Sequence, residues 1–179
     1  MELEASRFRE SDPSKASAIY ERGLKNFPDS HELHNNYANF LTDVRKDHDR
    51  AEELYQRALE LDPDDAVATG NYAGFVLALG RTALGMELVS RAMALHPPDP
   101  LRVELLFYVY AHGTPADRAQ ALGELHALLD KGVRSPGWDL SANVARAAED
   151  GHENPGLLRE LAAIIAEEAS STGLNESSR

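Results

Sequence analysis

The stretch AEELYQRALELDP, residues 51–63, decides the fold. Its apolar residues recur at the i, i+3, i+4, i+7 spacing that places side chains on one face of an α-helix. They are Ala51, Leu54, Tyr55 and Ala58. The closing proline ends the helix, because it lacks a main-chain N–H and clashes with the preceding turn. The stretch therefore predicts an amphipathic helix that buries one face.

The same pattern occurs twice more, as ASAIYERGLKNFP in residues 16–28 and GMELVSRAMALHP in residues 85–97. The three closing prolines are 35 and then 34 positions apart. The segments between them also repeat, since NYANFL in residues 36–41 matches NYAGFV in residues 71–76 at an offset of 35. A repeated pair of helices predicts a repeat protein in which each unit buries its apolar face against its neighbours.

Helix starts are marked by a capping side chain placed before a first-turn proline. The four such pairs are Asp12-Pro13, Asp99-Pro100, Thr114-Pro115 and Asn154-Pro155. Asp47 or Asp49 is expected to cap another helix. From periodicity, caps and breakers we predict helices over about residues 2–10, 13–27, 30–43, 48–61, 65–79, 82–95, 99–112, 115–131, 139–150 and 155–170. No apolar stripe has the alternating period of a strand, so the predicted class is all-α.

These features resemble the tetratricopeptide repeat (TPR) family, which has paired antiparallel helices, a period near 34, an Ala-x3-Tyr step and a closing proline. The resemblance is strongest over residues 49–65 and covers about residues 2–98. It implies antiparallel helix-hairpin repeats stacked in an α-solenoid with a right-handed superhelix. The segment from Ile19 to Phe40 also resembles the related half-a-TPR repeats, although Leu41 stands where those repeats carry an acid. That subfamily stays open as an alternative.

The expected organisation has three parts. Residues 1–98 form two and a half to three TPR-like units. Residues 99–170 form a degenerate repeat and an atypical C-terminal helical cap of the same domain, since a repeat array needs a terminal unit with a polar outer face. Residues 171–179 form a polar tail, which we expect to fray.

Composition excludes several functional classes. The formal net charge is −12 and the sequence pI is about 4.9, so nucleic acid and anionic membrane are poor partners for the chain as a whole. With no cysteine, disulfides and thiolate catalysis are excluded. Neither a secretory signal nor a membrane-length apolar run is found, so a cytoplasmic location is the default expectation.

Motifs of catalysis and cofactor binding are absent, which predicts a protein that is not an enzyme and needs no cofactor. His31 and His34 stand three positions apart near a helix start, a spacing that could present two imidazoles to a metal ion. Since no third ligand is near in sequence, we expect a solvated helix end there, and no metal site.

The family resemblance implies the binding surface. In such proteins the first helices of the pairs line a concave groove that holds a peptide. The implied groove residues here are Asn35, Asn36, Asn39, Asp43, Gly70, Asn71, Gly74, Ala78, Glu104, Tyr108 and His112. Asn36 and Asn71 occupy equivalent places, and an asparagine amide can pair with a peptide main chain. The alternative, that both bond only neighbouring turns, carries about equal weight.

Two functional hypotheses follow. The first is a scaffold or adaptor that holds a partner protein or peptide in the groove, with a neutral or basic partner favoured because the groove carries acids without balancing lysines. The alternative is an acidic structural subunit or inhibitor that binds a basic partner through its outer surface. The basic residues by which one TPR subtype grips a C-terminal carboxylate are missing, since Glu4, Val67 and Asn71 stand in their places. The oligomeric state is left open.

Overall fold

The computed structural model describes residues 5–167, and within them every regular element is helical. The α-helices are α1 (Pro13–Asn26), α2 (His31–Phe40), α3 (His48–Leu61), α4 (Ala66–Ala78), α5 (Thr82–Ala94), α6 (Asp99–His112), α7 (Pro115–Asp130), α8 (Ser141–Glu149) and α9 (Pro155–Ala166). A π-helical turn, Leu41–Arg45, follows α2 directly. The predicted all-α class is confirmed.

The chain divides into two compact units, Met1–Pro97 and Pro98–Arg179. In the first unit α2 pairs with α3 and α4 pairs with α5, and α4 also packs against both helices of the preceding pair. In the second unit α6 pairs with α7, α8 pairs with α9, and α6 contacts α8 and α9 as well. The unit boundary falls where the predicted repeats end, and a single domain spanning both units stays a prediction.

Two aromatic trios form the core of the first unit. Tyr20 stacks on Tyr37 with ring centroids 5.0 Å apart, and Phe40 lies 5.5 Å from Tyr20 and 6.3 Å from Tyr37. The second trio stands 35 positions later and comprises Tyr55, Tyr72 and Phe75. Its corresponding centroid distances are 5.5, 5.3 and 6.3 Å. Each trio joins the second helix of one pair to the first helix of the next, so the repeated sequence reproduces one packing unit.

Small residues lie at the buried positions between helices. Ala58 and Ala92 are completely buried, and Gly23 at the equivalent place of the first repeat is buried too. At Gly85, a Cβ atom would come within 2.4 Å of the Leu77 Cγ. Because that distance is far below van der Waals contact, α4 and α5 approach as closely as they do only with a glycine at this position.

The π-helical turn accommodates one extra residue. Seven positions separate Phe40 from Asp47, which caps α3, whereas six separate Phe75 from Arg81, which precedes α5. The widened turn Leu41–Arg45 lies in the longer of the two connections. It therefore absorbs the residue that makes the first repeat spacing 35 instead of 34.

The second unit is built around α6, which is apolar on most of its surface. Phe107 and Leu105 are completely buried, and Leu125, Leu140, Leu158 and Ile165 from the other elements are also inaccessible to solvent. Helix α6 therefore supplies a large part of the buried core of this unit.

The predicted helix ends need some corrections. Asp12, Asp47, Thr114 and Asn154 cap helices as expected, each accepting a main-chain N–H of the first turn. Asp99 does not cap, because α6 already includes it and the preceding residue is a proline. Residues 7–11 form turns instead of the predicted helix over 2–10. Residues 2–4 of that predicted helix, the end of the predicted helix over 155–170, and the tail 171–179 lie outside the described residues.

Candidate functional site

The expected groove residues fall in both units. Asn35, Asn36, Asn39, Asp43, Asn71 and Gly74 belong to the first unit, and Glu104, Tyr108 and His112 belong to the second.

In the first unit, a pocket of about 610 Å³ opens between the beginning of α2, the α3–α4 connection and the beginning of α4. Its lining residues are His31, Glu32, Asn35, Asn36, Asp62, Asp64, Asp65, Ala66 and Val67. Of the expected groove residues, the structure thus brings Asn35 and Asn36 together at one pocket. Asn39, Asp43, Asn71 and Gly74 are not among its lining residues.

A chain of amides leads to this pocket. The Asn71 Nδ2 donates to the Asn35 Oδ1 over 3.0 Å, and both side chains are almost completely buried. The Asn35 Nδ2 in turn donates to the Asn36 Oδ1 over 3.4 Å. Asn36 is half-buried, and its amide nitrogen has no protein acceptor within residues 5–167. Asn35 and Asn71 therefore bond neighbouring helices, and Asn36 keeps two donor hydrogens for a ligand.

The pocket is acidic. Asp65 accepts from the main-chain N–H groups of Val67 and Ala68 and lies 3.0 Å from the His31 Nδ1. Asp62 lies 3.7 Å from the other ring nitrogen of the same histidine. The lining includes neither lysine nor arginine. The pocket is therefore a region of negative potential.

Two of its carboxylates are available. Within the part of the chain that the structure describes, Glu32 and Asp64 have no ion-pair partner. Val67 adds an apolar surface, since 45% of this large hydrophobic residue is exposed. The pocket thus combines free carboxylates, a free amide donor and an apolar contact.

The other first-unit groove residues are engaged in packing. The Tyr55 hydroxyl donates to the Asn39 Oδ1 over 2.7 Å, and burial raises the pKa of Tyr55 well above its ordinary value. Asp43 forms an ion pair with Arg9. Gly74 and Asn71 are buried in α4. These side chains position α2 and α4 and present little free hydrogen-bonding capacity.

In the second unit, the expected groove residues are largely interior groups. Glu104 accepts from the Ser135 hydroxyl, and burial raises the pKa of its carboxyl to about 7 against a smaller opposing effect of that hydrogen bond. Trp138 donates from Nε1 to the Tyr108 hydroxyl over 3.0 Å. His112 lies 3.1 Å from the Asn143 Oδ1, and burial lowers the pKa of the imidazole to about 4. These contacts tie α6 to the connection before α8 and to α8 itself.

Sequence reasoning missed most of the acidic lining. Asp62, Asp64 and Asp65 surround the repeat-closing Pro63, and the sequence pattern indicated only a helix end at this place. The signal in the sequence was the density of acids in the connection between α3, a second helix, and α4, the first helix of the next pair. His34 is buried and its Nδ1 lies 2.8 Å from the Ser30 carbonyl oxygen, which corrects the expectation of a solvated helix end. No group of three or more potential ligands among residues 5–167 is arranged to hold a metal ion.

Two family models match the chain, both described as tetratricopeptide repeat, over residues 6–66 and residues 45–106. Together they span more than half of the 179 residues. Comparison with curated proteins and with solved structures gives no significant match. Among the described helices, none has both the length and the apolar character needed to cross a membrane.

Proposed function

Because the chain is a tetratricopeptide repeat protein, we propose that it is a scaffold or adaptor that holds a neutral or basic segment of a partner protein in the pocket between α2 and α4. Repeats of this family are generally protein–protein interaction modules, and proteins of the family are typically non-enzymatic scaffolds. The proposed role involves no catalysis, and no nucleic acid or membrane as partner.

The observation that carries the proposal is the composition of the 610 Å³ pocket. A peptide main chain offers carbonyl groups, which the free amide of Asn36 can bind with a net gain of about 0.5–1.5 kcal/mol. A lysine or arginine side chain of the same segment can pair with Glu32 and Asp64. An apolar side chain can cover Val67. A segment with acidic side chains would meet carboxylates at the same positions, so the pocket selects against it.

The test is a double charge reversal, Glu32→Lys with Asp64→Lys. The probe is a lysine-containing peptide from whichever partner co-purifies with the chain, titrated by calorimetry. Because attraction becomes repulsion at both carboxylates, affinity should fall at least about tenfold. The matched control is Glu53→Lys with Glu87→Lys, which makes the same change in net charge at two exposed acids of α3 and α5. It should change affinity about twofold or less, and less still at high salt.

A single substitution tests the contribution of the Asn36 side-chain amide to binding. Asn36→Ala should weaken binding by about two- to tenfold, because one net hydrogen bond is lost. Its helicity and melting temperature should match the parent, since the Asn36 oxygen makes only one long contact. Asn71→Ala is unsuitable for this purpose, because the Asn71 amide is buried and bonded to Asn35, and its loss would lower stability.

The outer-surface alternative predicts that the two charge reversals weaken binding equally. If the chain binds through its acidic exterior, reversal at Glu53 and Glu87 would weaken binding as much as reversal at Glu32 and Asp64. That result would assign the interaction to the general negative charge of the chain, which is −12 over its whole length.

A further inference from the structure

The second unit contains an apolar groove that the proposed function does not use. It has a volume of about 630 Å³ and lies between α8, α9 and the connection that precedes α8. Its apolar lining residues include Trp138, Leu140, Val144, Ala145, Ala162, Ala163 and Ala166. Volume and composition are those of a ligand site, in which apolar walls surround a small number of polar groups.

The lining follows helical periodicity. On α9, residues 159, 162, 163 and 166 line the groove at the i, i+3, i+4, i+7 spacing of a single face. A different stripe of the same helix, Leu158, Leu161 and Ile165, is completely buried in the unit. Helix α9 is therefore apolar on two faces, and Ala163 on the groove face is exposed.

The small size of these side chains indicates what fits against them. Alanines on two neighbouring helices leave a channel in which the side-chain ridges of a third helix can pack. The first unit provides an internal example, since α4 packs against both α2 and α3 of the preceding pair. Helix α4 is itself rich in alanine and glycine. Within residues 98–167, no helix occupies the corresponding channel of α8 and α9.

The groove carries one unpaired positive charge. Arg159 lines it, is exposed, and has no ion-pair partner within the described part of the chain. The acid on the opposite side, Asp139, accepts from the main-chain N–H of Ser141 over 2.8 Å and so is engaged at the beginning of α8. In a chain with a net charge of −12, an unpaired arginine beside an apolar channel is complementary to an apolar partner surface that carries a carboxylate.

We propose that the groove between α8 and α9 is a docking site for an amphipathic helix of a partner protein. The helix presents small and medium apolar side chains to Val144 and Ala163 and a glutamate or aspartate to Arg159. This is the helix-in-groove mode of recognition. The site consists only of second-unit residues and does not depend on the pocket between α2 and α4.

The single tryptophan of the chain makes the site directly observable. Trp138 is part of the groove wall and the only tryptophan of the sequence, so its emission responds directly to a ligand that occupies this groove. The probes are two stapled helical peptides with the same alanine and leucine face, one with glutamate and the other with lysine at the position that faces Arg159. The glutamate peptide should shift the emission to shorter wavelength in a saturable manner and bind about fivefold more tightly than the lysine peptide.

Variants of the full chain test whether the peptide lies in this groove and faces Arg159. Arg159→Glu should invert the preference, so that the lysine peptide binds about fivefold more tightly. Ala163→Arg should obstruct the channel and reduce the affinity for the glutamate peptide at least about tenfold. Lys131→Glu changes an exposed charge outside the groove lining and should leave both affinities within about twofold of the parent.

Three results would overturn the proposal. Equal affinities of the two peptides in the parent and in Arg159→Glu would remove the role of the arginine. An emission shift caused by Leu174→Asp without any peptide would assign the groove to the C-terminal segment of the chain, in which Leu174 is the only large apolar residue after Glu167. Saturable binding of anilinonaphthalene sulfonate with no response to either peptide would assign the groove to a small anionic ligand.

Discussion

The hairpins α2–α3 and α4–α5 share the buried residues that pack their helices together, which we call the frame. They differ in the side chains at other positions of their first helices. The aromatic trios that join the first helix of each hairpin to the helix before it have nearly the same ring distances, and Ala58 and Ala92 occupy equivalent buried places. Around this frame, Asn35 and Asn39 of α2 stand where α4 has Gly70 and Gly74. The frame positions fix how the helices pack, so binding groups can be placed only at the positions that vary.

Helix α6, the first helix of the next pair, carries different residues at the same two repeat positions. Glu104 stands 34 positions after Gly70, and Tyr108 stands 34 positions after Gly74. All four positions are buried. One pair of repeat positions thus carries amides in α2, glycines in α4, and a carboxyl and a phenol in α6. Of the amide pair, Asn35 lines the pocket next to the free amide donor of Asn36. In α6, by contrast, Glu104 and Tyr108 are bonded to Ser135 and Trp138.

Removing an aromatic ring from either trio should have the largest effect. Phe40→Ala and Phe75→Ala should each reduce the free energy of unfolding by about 3–5 kcal/mol, because each deletes a buried ring and leaves a cavity. The two losses, measured by urea denaturation, should agree within about 1 kcal/mol. A severe loss at one position and a mild loss at the other would show that the two trios are not equivalent.

Glu104 should make stability depend on pH. The folded chain holds this proton up to about pH 7, whereas the ordinary pKa is 4.5. Between these values the folded state binds more protons than the unfolded state, so stability falls as the pH rises and the penalty is complete above pH 7. Glu104→Gln should therefore be more stable than the parent at pH 8 by up to about 3 kcal/mol.

The control for Glu104 is the same comparison at pH 4. There the carboxyl is protonated in the folded state and mostly protonated in the unfolded state, so the advantage of Glu104→Gln should nearly vanish. His112 titrates in the parent and in the variant alike, so its contribution cancels from the difference. An advantage of equal size at both pH values would indicate a packing effect in place of a titration.

Gly85 distinguishes the second hairpin from the first, where Ala51 occupies the equivalent place. Gly85→Ala should lower stability by about 1–2 kcal/mol, because the new Cβ overlaps Leu77 by more than the gain in helix propensity can offset. The double variant with Leu77→Ala should lose less than the sum of the two single losses, since the smaller side chain makes room. Strict additivity would contradict the close approach of α4 and α5.

The smallest expected effect is at the turns. Lys46 and Gly80 each end a first helix in the left-handed conformation, with φ of 56° and 76°. The lysine adopts it at a cost that glycine avoids. Lys46→Gly should therefore raise the melting temperature, with a gain of about 1 kcal/mol or less. Gly80→Lys should lower the melting temperature. A higher melting temperature in both variants would contradict the conclusion that glycine is favoured at both turns.

The sequence predicts much of this structure because the relevant signals are local. Periodicity and capping residues such as Asp12 and Thr114 locate the helices, and the offset of 35 between the Tyr-Ala pairs predicts their pairing. The spacing of Pro28, Pro63 and Pro97 shows that the first repeat interval is one residue longer than the second. The sequence did not predict that a π-helical turn would accommodate this extra residue. That outcome depends on how α3 packs after the turn.

The candidate site was harder to predict. The implied groove contained Asn35 and Asn36, which do line the pocket, together with Asn71 and Glu104, which are buried. Which amide stays free depends on the hydrogen bond between Asn35 and Asn71, 36 positions apart, and no local pattern encodes it. The acids around Pro63 were visible in the sequence, yet their convergence on α2 follows only from the packing of α4 against α2.

The most direct test of the central claim is a two-dimensional ¹H–¹⁵N correlation titration of the full chain with the lysine-containing peptide. Our account predicts that the largest shifts occur at the Asn36 side-chain amide and at the main-chain amides of Glu32, Asp64 and Val67, with the Asn35 and Asn71 side chains changing less. Shifts centred on the exposed acids of α3 and α5, with the Asn36 amide unchanged, would contradict it.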